Sequence, residues 1–120
     1  MITLNSKEDN PLEYHTSRAE IFYREGDVAE GIKEARRALL HCKDELHRER
    51  ATALRIFIAK SYSALGDHDR SNSEYRALID EGTYLPPIIM GIMHNNIEQG
   101  RHDKVRHNVH LVRLFTGLDE

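Results

Sequence analysis

Apolar residues recur along this chain at steps of three to five, which is the spacing of a buried helix face. Asn10-Pro11 reads as a helix start, with Asn as the cap and Pro preset for the first turn. From Leu12 to Glu25 the pattern is helical, carried by Tyr14, Ala19, Phe22 and Tyr23. Gly26 ends that helix and Asp27 can cap the next. Val28, Ile32, Ala35, Leu39, Cys42 and Leu46 then mark one stripe. This second helix is expected to stop near Cys42–Lys43, with Asp44 able to cap another.

Leu46–Leu65 reads as a long third helix. Its apolar face is Leu54, Phe57, Ile58, Tyr62 and Leu65, and Ala51, Ala53, Ala59 and Ala64 keep it slim. Gly66-Asp67 breaks and restarts the chain, and Tyr75, Leu78 and Ile79 anchor a fourth helix reaching Glu81. After the loop Gly82-Thr83-Tyr84, Pro86-Pro87 opens a fifth helix with Ile88, Ile89, Ile92, Met93 and Ile97 apolar. Gly100 ends it. A sixth carries Val105, Val109, Val112 and Leu114 and stops near Gly117. No segment alternates with period two long enough to demand a strand. The expectation is an all-α chain of about six helices joined by short turns, so that neighbours pack antiparallel. Residues 1–10 are polar and unpatterned, and are expected to form a loose tail before a single domain over 11–120.

Two stretches repeat each other: AEIFYREGDVAEGIKEA at 19–35 and AKSYSALGDHDRSNSEY at 59–75. Gly26, Gly66 and Gly100 stand 40 and 34 residues apart. A period near 34 residues, built as helix–turn–helix, resembles the tetratricopeptide repeat family. In that family's first helix a small residue precedes a large ring by three positions, and the turn glycine follows four later. Here those slots hold Ala19/Phe22/Gly26 and Ala59/Tyr62/Gly66, with Met93/Asn96/Gly100 as a degenerate third. The second-helix slots hold Gly31/Ala35, Ser71/Tyr75 and Val105/Val109. The family's early Trp is replaced by His15, Arg55 and Ile89, and its closing Pro by Lys43, Thr83 and Gly117. The resemblance covers roughly residues 12–116, in units of about 12–45, 46–83 and 86–117. It implies a right-handed stack of three hairpins, an α-solenoid in which Ala19, Ala59 and Ser71 allow close helix approach and Phe22, Tyr62 and Tyr75 fill the space between hairpins.

The resemblance also implies a concave groove lined by the first helix of each hairpin. Carried over, that groove comprises Glu13, Ser17, Glu20 and Arg24, then Ala53, Phe57 and Lys60, then Met90, His94 and Ile97. The family's two-carboxylate clamps rely on several Lys, Arg and Asn residues. Only Lys60 and Arg24 are obvious basic candidates here, beside two glutamates, so such a clamp is disfavoured. An apolar middle suits an extended or helical ligand with hydrophobic anchors, although Phe57, Met90 and Ile97 can equally be packing residues.

Composition narrows the function classes. The chain has 120 residues, 31% charged, with net charge −3 and basic and acidic residues interleaved. A pI near 6.2 argues against a dedicated nucleic-acid binder. The locally basic run HRERATALR at 47–55 is interrupted by Glu49. The lone Cys42 allows no internal disulfide and suits a reducing compartment. MITLNSKEDN lacks the basic start and apolar run of a secretory signal. Leu85–Met90 is far too short to span a bilayer. A cytoplasmic protein without membrane attachment is the expectation.

Candidate chemistry is sparse. His94, His102, His107 and His110 cluster late in the chain, and His107 and His110 share a helix face. Zinc wants three or four ligands, and no HExxH or Cys pair is present, so no metal or other cofactor is expected. Cys42 adjoins His41, but helix neighbours point about 100° apart, and Cys42 falls on the apolar stripe. Glu30/Glu34 and Glu45/Glu49 read as solvated helix faces with Lys and Arg partners. No nucleophile elbow, phosphate loop or dinucleotide fingerprint occurs. The leading expectation is a non-enzymatic module, adaptor or chaperone that holds a protein or peptide segment in the groove. Homo-oligomerisation stays open: a self-assembling scaffold would use the uncovered last helix with Val109, Val112, Leu114 and Phe115. A regulatory protein acting through a separate partner is a third reading.

Overall fold

The structure is a computed structural model, and it describes residues 6–100. Within them the chain is all-helical, with five α-helices and no strand. They are α1 (Pro11–Arg24), α2 (Val28–Leu39), α3 (Arg48–Ala64), α4 (His68–Asp80) and α5 (Pro86–Glu98), with one 3-10 turn at Glu45–His47. The sixth expected helix lies outside the described residues, as do His102, His107 and His110 and the slots Val105/Val109.

Local chemistry explains the breaks. Asn10 caps α1 by accepting from the Glu13 amide at 3.2 Å, with Pro11 in the first turn. Gly26 and Gly66 have φ of 88° and 83°, a region that an L side chain rarely adopts. Each lets the following amide, Asp27 or Asp67, reach back to Phe22 O or Tyr62 O at 2.8 and 2.9 Å. Asp67 then caps α4 through the Arg70 amide, while Asp27 precedes α2 without a side-chain cap bond. The chain before α1 turns at residues 6–9, where Ser6 Oγ accepts from the Asp9 amide.

Contacts across the turns give the helix directions. His15 meets Glu34 and Ala19 meets Gly31, so α1 and α2 run antiparallel. Arg55 meets Glu81 while Tyr62 lies near Arg70, which makes α3 and α4 antiparallel too. Tyr75 lies over Gly91 and His68 reaches Asn95, so α5 returns along α4. Glu13 pairs with Arg50 near the start of α1 and α3, and Tyr23 meets Phe57 and Lys60 further along both. Those two helices therefore run parallel, one from each hairpin.

Two apolar clusters fill the interior. The first joins Leu12, Ala19, Ile32, Ala35, Ala38, Leu54 and Ile58, from α1, α2 and α3. The second joins Ala59, Tyr75, Leu78, Ile88 and Ile92, from α3, α4 and α5. Ala19, Ala59 and Ser71 are all buried, and a Cβ on Gly31 would sit 3.0 Å from Ala19 O, so small residues do permit close helix approach here. Arg36 of α2 bridges the two hairpins by donating to the Tyr62 hydroxyl at 3.1 Å and the Glu74 carboxylate at 3.0 Å.

Three sequence expectations change. The second helix stops at Leu39, short of Cys42–Lys43, and Leu46 leaves the stripe with 84% of its surface exposed. Leu65, assigned to the apolar face of the third helix, is 50% exposed because it lies past the last helical residue. Glu34 is not solvated but 4% exposed, held inside the first hairpin by His15.

Candidate functional site

The face made by α1, α3 and α5 is hollowed between its helices. Between α1 and α3 lies a cavity of about 270 Å³, with Ala19, Ala53, Leu54 and Phe57 as apolar walls. Glu13, Ser17, Glu20 and Arg50 give it a polar rim. Further along, Tyr23, Lys60, Ser63, Ala64, Tyr75, Gly91 and His94 enclose a second of about 370 Å³. The Tyr23 and Phe57 rings, 5.5 Å apart, belong one to each hollow and form the ridge between them. A third hollow of about 590 Å³ extends the face from Ala53 and Ile56 of α3 to Tyr84 and Leu85 before α5.

Most of the expected groove residues meet here. Glu13, Ser17, Glu20, Ala53 and Phe57 line the first hollow, and Lys60 and His94 the second. Arg24, Met90 and Ile97 line neither; they stand exposed on α1 and α5, Met90 at 54% and Ile97 at 45%. Phe57 serves twice, half-buried against the first core cluster and facing the hollow.

The two hollows differ in charge. Glu13 is paired with Arg50 across the first, which holds the Arg50 guanidinium above its ordinary value, and Glu20 adds a second carboxylate at the rim. Among the described residues no carboxylate lines the second: its polar groups are the Lys60 ammonium, the His94 ring and the hydroxyls of Tyr23, Ser63 and Tyr75. Lys60 Nζ lies 5.2 Å from the Tyr23 ring centre, a cation–π contact. Burial, with Tyr23 adding to it, pushes the Tyr75 phenol up, so it remains a protonated donor.

Sequence reasoning did not find Tyr23, Tyr75, Ser63, Gly91 or Arg50 for this face. Tyr75 belongs to α4 and was expected only as filler. It reaches the face because Gly91 has no side chain: a Cβ there would overlap Cζ of Tyr75 and stand 2.5 Å from its hydroxyl. A glycine inside the apolar run Ile88–Met93 was the available signal.

Other candidate chemistry resolves into packing. The run HRERATALR has its arginines matched one by one, Arg48 to Glu45, Arg50 to Glu13 and Arg55 to Glu81. Cys42 is half-buried against the first cluster, and burial raises its thiol. Among the described residues no three His, Cys, Asp or Glu side chains gather where they could hold a metal ion. Nor is any described helix long and apolar enough to cross a membrane. No protein-family model matches the chain, and no curated protein or solved structure shows significant similarity to it.

Proposed function

We propose that this chain is a tetratricopeptide-like, non-enzymatic interaction module whose α1–α3–α5 face holds an extended segment of a partner protein. The observation that carries this reading is the shared face. Seven of the ten residues that the family resemblance implies for the groove, from three separate helices, line two adjoining hollows on one side of the molecule. Parallel α1 and α3, each followed by an antiparallel partner, support the likeness to stacked helical hairpins. An apolar wall with a polar rim suits a peptide bound through side-chain anchors better than a small substrate, because neither hollow is deep or closed. The intended setting is the cytoplasm, where a lone, half-buried Cys42 is at ease.

Two substitutions test the groove in co-purification from cells. Phe57→Asp puts a charge on its apolar wall, and Ala53→Arg fills it from an exposed position without touching the core. Specific partners should fall away with both, while circular dichroism of Ala53→Arg stays unchanged. Retention of every specific partner by the folded Ala53→Arg protein would count against the groove.

A further inference from the structure

The end of the molecule where α2 passes to α3 and α4 to α5 carries apolar surface that the groove leaves unexplained. The two connections are neighbours there: Lys43, Asp44 and Glu45 line one depression together with Glu81 and Thr83. Leu40, Leu46, Tyr84 and Leu85 are all exposed on them, and Leu46, at 84%, is the most exposed large apolar side chain among the described residues. Leu46 belongs to neither core cluster. The third hollow, about 590 Å³, opens at the same end, walled by Ile56, Tyr84 and Leu85, with Arg48 and Glu49 at its rim. Leu46 stands two residues before Arg48, in the 3-10 turn that leads into α3. An apolar knob and an apolar hollow thus adjoin on one surface. The charges around them have both signs, Lys43, Arg48 and Arg55 against Asp44, Glu45, Glu49 and Glu81. A partner of one charge sign gains little from such a surface. A second copy turned about a two-fold axis matches it, because each residue then meets its complement twice.

We propose that this end is the interface of a two-fold dimer, in which Leu46 of each copy enters the hollow between Ile56 and Leu85 of the other. Burying the two leucines supplies the affinity. Charge sets the register. Glu45 lies beside the knob and Arg48 on the rim, and within one chain they already pair at 2.9 Å with both side chains exposed. In the dimer each Glu45 turns to the Arg48 of the other copy, so no charge is left without a partner. The proposal does not depend on the groove holding a peptide, and it takes up neither the first hollow nor the second.

Sedimentation velocity of the full chain over a range of concentrations tests it. Wild type should form a dimer that dissociates on dilution. Leu46→Ser removes the knob, and Leu85→Glu puts a charge in the hollow. Both positions are exposed, so circular dichroism should not change. Each variant should dimerise roughly a hundredfold more weakly, because a two-fold interface loses the contact twice. Mixed together, the two variants should form a tighter dimer than either forms alone, since one intact knob then meets one intact hollow. Arg48→Glu should weaken the dimer, and adding Glu45→Arg to it should restore affinity. Phe57→Asp, which strikes the groove, should leave the dimer intact, so the two readings fail separately. A wild-type monomer at every concentration, a Leu46→Ser dimer as tight as wild type, or a mixture no tighter than its parents would overturn the interface. A monomeric wild type from which Leu46→Ser sheds a foreign protein would give the surface to another partner and overturn the second copy.

Discussion

Glu34 is an acid inside a helical hairpin, and three neighbours keep it charged there. Burial alone would raise its carboxyl. The hydrogen bond with His15 Nδ1 at 2.6 Å, with the guanidiniums of Arg18 at 3.4 Å and Arg37 at 2.7 Å, outweighs that and holds it below its ordinary value. Glu34→Gln removes a charge-assisted bond and should cost roughly 1.5–3 kcal/mol in chemical denaturation. The pH dependence follows from the direction of the shift. A depressed carboxyl stabilises fully above its ordinary value of 4.5, and that stabilisation fades as pH falls through the lower folded value. The gap between wild type and Glu34→Gln should therefore be constant near neutrality and shrink in acid. Gly91 is the second sensitive position. Gly91→Ala drives a methyl into the Tyr75 ring, which is 4% exposed and cannot swing clear. Overpacking of that kind costs about 1–3 kcal/mol, read as a lower denaturation midpoint.

Helix ends were the most legible elements, because glycine and proline carry their backbone geometry with them. Asn10-Pro11, Gly26, Gly66 and Pro86 sit at helix boundaries as their chemistry requires. Gly66→Ala should cost about 1 kcal/mol, the positive-φ penalty less what alanine saves in the unfolded chain; an unchanged melting temperature would mean the turn had rearranged. The end of α2 was not legible. The 3.6-residue stripe runs on through Cys42 and Leu46, and nothing local to those residues says that the chain leaves the helix at Leu39. His15 and Glu34 were also missed as a pair. Each looks polar and solvent-facing by itself, and only the antiparallel return of α2 puts the two opposite one another. The same limit hid Tyr75. Periodicity places a side chain on a face of its own helix, but the notch at Gly91 that carries it to the next face is a property of two helices together.

At the scale of the whole molecule, among the described residues, α1 and α3 run side by side and α5 returns along α4, which leaves the α1–α3–α5 face in reach of a partner. Photo-cross-linking in cells tests that use of the face most directly. A photoreactive residue is placed singly at Glu20, Ala53 or His94 on the α1–α3–α5 face, and at Lys33, Ser73 or Arg76, which are exposed on α2 and α4. The groove positions should trap one and the same partner and the α2 and α4 positions should not; equal adducts from both sets, or none from the groove, would contradict the account.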